Sequence, residues 1–319
     1  MFKYRSKVLA VLNQKGGVGK TTTVTMLSEY GAMIQKVNGA PCRILVVDLD
    51  MQCNTSDYFV GMEPAPQERG GQLPPKHTYP EFMGSDEVSE RSTIADIFYG
   101  QMVLPHTVEL SGGTLDVLLG HPRRLEEINE KFSNEKGEVD TNVVNRLGEV
   151  LHSEEVAESY DLIILDTGPT RNPIFRAALR AATHVLIPYE PEEKSLQGIN
   201  SMAQALNSEN YSRKKNEPPV KVIGLLPNKV RVGLALHKDN IDTVSTNLPK
   251  LAMPEDVFLP LSIAFPKRDV KGANPKSIFD VKKSDNARKH ALRVAEHVFG
   301  AIFEVSGLRT DEPIRAAEV

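Results

Sequence analysis

The sequence predicts an α/β fold, a mostly parallel twisted sheet flanked by helices on both faces. Three observations carry this. Short unbroken apolar runs recur at 7–12, 43–48, 114–119, 161–166, 183–188 and 220–226, and runs without alternation suit strands covered on both faces. Helical patterns fall between them, so consecutive strands are joined by right-handed crossovers. The first run feeds directly into Asn13-Gln14-Lys15-Gly16-Gly17-Val18-Gly19-Lys20-Thr21-Thr22-Thr23, and strand, glycine-rich loop, then helix is the context that a phosphate-binding loop requires.

The first strand, Lys7–Leu12, follows a basic start that could be mistaken for a signal peptide. No small-residue cleavage site follows, and the run leads straight into the loop, so it reads as the first strand of a cytoplasmic protein. Gly16, Gly17, Val18, Gly19, Lys20, Thr21 and Thr22 then form the cradle. Successive backbone N–H groups and one lysine surround a polyphosphate, at the N-terminus of a helix predicted over 20–36. The usual G-x-x-x-x-G-K-[ST] spacing would put glycine at position 14. Here Gln14 stands there and a second lysine, Lys15, follows.

The second strand ends in Asp48-Leu49-Asp50-Met51-Gln52. Carboxylates at i and i+2 both reach the carboxyl edge of the sheet, where open α/β folds bind ligands, and there they face the phosphates and Mg²⁺. Residues 61–91 break the pattern with Pro64, Pro66, Pro74, Pro75, Pro80 and Gly70-Gly71, and are expected to form a long flexible insertion. Helices follow at 92–99, 122–132 and 141–152. Tyr160-Asp161-Leu162-Ile163-Ile164-Leu165-Asp166 is an apolar strand ending in a carboxylate, a Walker B arrangement. Asp166 would hold Mg²⁺ through water, because Mg²⁺ dehydrates reluctantly, while the Thr21 hydroxyl would be a direct ligand. The remaining helices are expected at 173–182, 194–208, 235–247 and 284–303. The organisation expected is one phosphate-binding-loop domain over 1–305, with the insertion at about 61–91, and a polar tail over 306–319.

Composition sets outer bounds. Forty per cent hydrophobic and 25% charged residues in 319 is ordinary for a folded chain, and no apolar run approaches the roughly 18–20 residues that span a bilayer. Cys42 and Cys53 form no C-x-x-C pair, and the eight histidines show no metal-ligand spacing, so neither a disulfide framework nor a nitrogen or sulfur metal site is indicated. Net charge is −4, but residues 267–293 hold nine Lys/Arg against three Asp. Clustered cations of this kind suit phosphate contacts that need no base-reading helix.

The Lys-Gly-Gly-Val-Gly-Lys-Thr loop resembles the deviant P-loop of the ParA/MinD ATPases, and its Asn13-Gln14 lead-in is most similar to ParA-type partition proteins. Asp48–Gln52 resembles the D-x-D-P-Q stretch of that group, with Met51 in place of proline. Tyr160–Pro169 resembles its Y-D-x-I-I-x-D-[ST]-x-P. The resemblance implies ATP and ADP as ligands, Mg²⁺ near Asp48, and an attacking water oriented by Asp50. It implies that Lys15, beside Lys20, reaches across an ATP-dependent homodimer to the partner's nucleotide. It also implies that Gly168 and Pro169 sense the γ-phosphate and that Asn228, after Leu225-Leu226-Pro227, contacts adenine. The function implied is a DNA-segregation ATPase. Its dimer binds DNA of any sequence through Lys267, Arg268, Lys271, Lys282, Lys283, Arg288 and Lys289 as a group. A ParB-like centromere-binding partner stimulates hydrolysis, and the protein is associated with the nucleoid. With six residues ahead of the first strand, no separate N-terminal helix-turn-helix domain is expected. A MinD-like membrane-bound ATPase would need a basic amphipathic C-terminal helix, which Gly307–Val319 lacks. A ParA-like positioner of another cargo stays open.

Overall fold

The structure, a computed structural model, describes residues 3–34, 39–68, 70–132, 141–192, 195–270, 272–273 and 275–304. In chain order the elements are β1 (Val8–Val11), α1 (Lys20–Met33), β2 (Ile44–Leu49), α2 (Asn54–Phe59), β3 (Glu63–Pro64), β4 (Gln72–Leu73), β5 (His106–Leu110), β6 (Gly113–Leu118), α3 (Pro122–Lys131), α4 (Thr141–Leu151), α5 (Glu154–Ser159), β7 (Leu162–Thr167), α6 (Pro173–Ala181), β8 (His184–Tyr189), α7 (Ser195–Ser212), β9 (Lys221–Pro227), α8 (Ala235–Asn247), α9 (Ala264–Arg268) and α10 (Asn286–Phe303). Seven strands make one sheet in the order β5-β6-β2-β7-β1-β8-β9. All neighbours are parallel except β5, which runs antiparallel to β6.

The continuous apolar strands are explained by what covers them. Val8, Ala10, Leu45, Val47, Ile163 and Leu165 face a core built with α3, α4, α6 and α7. Leu9, Val11, Ile44, Val46, Leu162 and Ile164 face the opposite core, built with α1 and α10. The side-chain period is still two, but neither face is left to water. At Gly31, in α1, a Cβ would come within 2.8 Å of Ile44 and 2.9 Å of Phe299, so the absence of a side chain lets α1 lie close to β2 and α10. Helix starts follow local chemistry. Asn172 accepts from Phe175 N at 2.8 Å ahead of Pro173, and Asp285 accepts from Ala287 N at 2.8 Å, both side-chain caps.

The differences from the sequence reading are local. β5 is a half-exposed edge strand, with alternating burial along its length, and lacks the continuous apolar run that marks the buried strands. α2, α5 and α9 have five or six residues each, too short for a helical period to register. The segment 92–99 forms a 3-10 turn over Ile94–Tyr99 with a Thr93–Asp96 capping box. Within 61–91, β3 and β4 pair as a small antiparallel hairpin. Arg91 bridges to Glu63 at 2.7 Å, and the Gln72 amide donates to Gln52 O at 3.0 Å, so the hairpin reaches the loop beyond β2. The predicted tail, 306–319, lies outside the described residues.

Candidate active site

β2, β7 and β1 are neighbours in the sheet, and their carboxyl ends carry Asp48 and Asp50, Asp166, and the glycine-rich loop. Asp166 lies more than a hundred residues along the chain from both the loop and Asp48; parallel pairing puts all three at one edge, where a crossover skips a strand and a crevice opens.

The loop is anchored at its base. Asn13 donates to Pro188 O at 2.8 Å, and its side-chain oxygen accepts from Lys15 N at 2.8 Å. Gly17 and Gly19 have φ of 77° and 86°, a left-handed backbone that glycine adopts without strain. Gly16 has open space where a side chain would stand. Gly19 caps α1 with no side-chain bond, and no acidic residue occupies the first turn. The first N–H groups of α1, through Thr21 and Thr22, are therefore left for an anion. Lys20 is buried, which pushes its pKa down against the pull of Asp166 and Asp50; its ammonium lies 3.5 Å from Lys15 O. Val18 is buried, and its carbonyl accepts from Asn228 Nδ2 at 2.8 Å.

The three carboxylates differ in what holds them. Asp48 and Asp166 are register partners across β2 and β7 and are fully buried. Burial raises both carboxyls above the usual carboxylate range, with Asp166 adding to the shift at Asp48. Both oxygens of Asp48 are engaged, Oδ2 by Ser56 N at 2.8 Å and Ser56 Oγ at 2.7 Å, and Oδ1 by Asp50 N at 3.2 Å. Asp48 is thus tied to the loop carrying Asp50. Asp166 Oδ2 accepts from Thr21 Oγ1 and Thr55 Oγ1, each at 2.7 Å, while its buried Oδ1 has no hydrogen-bond partner. Asp50 accepts from Gln52 N at 3.0 Å, and a Cβ on Gly168 would approach its Oδ1 to 3.4 Å, so the end of β2 and the loop after β7 meet. Among the described residues no three His, Cys, Asp or Glu side chains converge on a metal position by themselves. An orphaned carboxylate oxygen next to a threonine hydroxyl does fit Mg²⁺, which takes few protein oxygens and keeps its waters.

Lys15 stands at the rim. Its ammonium is 2.8 Å from Glu192 and 3.7 Å from Glu190, and Lys229 also reaches Glu190, at 3.0 Å. Asn228 is buried against the loop: besides donating to Val18 O, its oxygen accepts from Lys229 N at 2.8 Å, and a Cβ on Gly19 would come within 2.2 Å of its amide. The side chain expected to read a base here supports the loop's backbone.

The basic residues expected to contact DNA divide. Lys267, Lys282, Lys283 and Lys289 are exposed. Arg288 is half-buried and donates to Val281 O at 3.1 Å. Arg268 does not belong with them: it is 2% exposed and pairs with buried Glu29 at 3.3 Å, because α9 turns its side chain inward beneath α1. Lys271 lies outside the described residues. Sequence reasoning missed Thr55 and Ser56; their signal was a Thr-Ser pair just after a strand ending in two carboxylates, in a helix too short to register.

A family model described as an AAA domain (AAA_31) matches residues 6–217. The chromosome-partitioning ATPase Soj of Thermus thermophilus is 29% identical over 71% of this chain and 70% of its own length. Protein IncC of Escherichia coli is 28% identical over 92% of this chain and 69% of its own length. The ATP complex of a Cyanothece McdA variant superposes with a TM-score of 0.65 at 16% identity, covering 93% of this chain and 97% of that one.

Proposed function

Because the chain belongs to the AAA_31 family, within the ParA/MinD superfamily of P-loop ATPases, we propose that it is a ParA-like partition ATPase that hydrolyses ATP to ADP and phosphate. The observation that carries this reading is the meeting of the glycine-rich loop, Thr21, Asp50 and Asp166 at the ends of three adjacent strands. Similarity to a chromosome-partitioning ATPase supports the segregation role.

The chemistry follows from the positions of the groups. The bare amides at the start of α1 and the Lys20 ammonium neutralise the β- and γ-phosphates and the charge that develops between them. Asp50, held by Gln52 N and facing Gly168, accepts a hydrogen bond from the attacking water and orients it in line. Bound Mg²⁺ would supply Lewis-acid neutralisation of the phosphate oxygens, with Thr21 and Asp166 as the side chains that hold it. Lys15 leaves Glu192 and Glu190 to complete the site of a second copy in an ATP-dependent homodimer. Lys267, Lys282, Lys283 and Lys289 provide phosphate contacts to DNA of any sequence, which places the protein on the nucleoid in the cytoplasm. A ParB-like partner stimulates hydrolysis and release.

Binding to DNA and to anionic vesicles, each with and without ATP and Mg²⁺, tests this. DNA binding is expected only with ATP, to weaken steeply with salt, to be lost in Lys20→Ala and to persist in Asp50→Ala. Nucleotide-independent DNA binding would overturn the switch. Binding to vesicles instead of DNA would move the protein to the MinD-like, membrane-associated class. Among the described residues no helix is long and apolar enough to cross a membrane.

A further inference from the structure

We propose that Thr55 is a positioning residue that holds Asp166 in the orientation needed to support Mg²⁺, and that it ties this carboxylate to the loop carrying Asp50. The inference rests on the ATPase reading above.

Thr55 lies in α2, five residues after Asp50, and is fully buried. Its hydroxyl donates to Asp166 Oδ2 at 2.7 Å, the oxygen that also accepts from Thr21 at the same distance. Two donors on one carboxylate oxygen fix the rotation of the group and leave Oδ1 as the buried oxygen without a partner. That asymmetry defines which oxygen faces an incoming metal-bound water. The two threonines are not equivalent. Thr21 sits at the mouth of the glycine-rich loop and would turn its oxygen toward the metal, whereas Thr55 has no second task and holds Asp166 in either state.

The neighbouring side chain makes the link mechanical. Ser56 binds Asp48 through both its N–H and its hydroxyl, so two consecutive residues of α2 clamp the carboxylates that end β7 and β2. A shift of the Asp50 loop as the γ-phosphate arrives or leaves would move α2 and, through Thr55, Asp166. Partners that orient a metal-supporting carboxylate commonly contribute tenfold or more to metal affinity.

Mn²⁺ binding to the full chain in the presence of ADP, read by electron paramagnetic resonance, separates the possibilities. Thr55→Val keeps the shape of the side chain and removes the hydroxyl; it is expected to weaken Mn²⁺ binding by about tenfold. Thr55→Ser, which keeps the donor, is expected to stay close to the wild type. ADP binding in EDTA is expected to be unchanged in both. Should Thr55→Val fail a thermal-unfolding check, Thr55→Ala makes the same comparison. The proposal is overturned if the hydroxyl-free variant binds Mn²⁺ as the wild type does, if Thr55→Ser loses as much, or if ADP affinity in EDTA falls in parallel. A wild-type chain that holds no Mn²⁺ with ADP would overturn the ATPase reading as well, and so is distinguishable from failure at Thr55 alone.

Discussion

Asp48 and Asp166 face each other across β2 and β7, yet one is saturated by donors from its own loop and the other keeps an oxygen free. The difference comes from α2, whose Ser56 supplies two donors to Asp48. Asp48→Asn retains an acceptor for Ser56 in place of a carboxyl whose charged form burial already disfavours, so unfolding stability is expected to change by less than about 1 kcal/mol, whereas Asp48→Ala strands the Ser56 donors and is expected to cost about 2–3 kcal/mol. Denaturant unfolding of both variants checks this, and equal stability would argue against the anchoring role. Lys15 is the converse case. It is held by acids of its own chain in partly exposed pairs worth little energy, so the crossing proposed for it would meet only a small barrier.

Between elements, the connection that matters most runs under the P-loop helix. Glu29 of α1 receives hydrogen bonds from Tyr58 of α2, from Ser277 and from Arg268 of α9. The Arg268 and Lys276 cations lie 5.0 and 4.9 Å from the Tyr58 ring centroid. Burial pushes the Glu29 carboxyl up, and Arg268 opposes that. The cluster bolts the start of the basic region to α1, the helix that follows the glycine-rich loop. Removing one partner leaves a buried charge, so Arg268→Met is expected to lower stability by about 3–5 kcal/mol, and the pair Glu29→Gln, Arg268→Met to recover much of it. A double-mutant cycle by denaturant unfolding measures the coupling; additive losses would contradict it.

At the scale of the whole molecule, the edge of the sheet opposite the site is closed by a polar network that includes a histidine. His152 is 2% exposed, accepts from Ser6 N at 3.1 Å, and lies 2.8 Å from Ala181 O. Burial holds its pKa down to about 4. The unfolded chain takes up this proton near pH 6.5 and the folded chain only near pH 4, so the stability present above about pH 6.5 is lost as pH falls through that window. For this one group the loss between about pH 7 and pH 5 is on the order of 2 kcal/mol. Unfolding free energies at the two pH values, compared with His152→Gln, should show that difference shrink by about this amount.

The class of fold, all six parallel strands, the glycine-rich loop and the strand-end carboxylates were legible in the sequence, because each depends on a contiguous pattern: an apolar run, clustered glycines, an acid where a strand stops. What those residues do to one another was decided by packing. Arg268 meets Glu29 across 239 residues, Thr55 meets Asp166 across 111, and Asn228 meets Val18 across 210. A charge pattern cannot distinguish an arginine on the surface from one turned under a helix, because both sit in the same polar run. Only the folded arrangement, by excluding water from Arg268 and giving Asp48 but not Asp166 a full set of donors, settles which charges are structural and which stay free to meet a ligand.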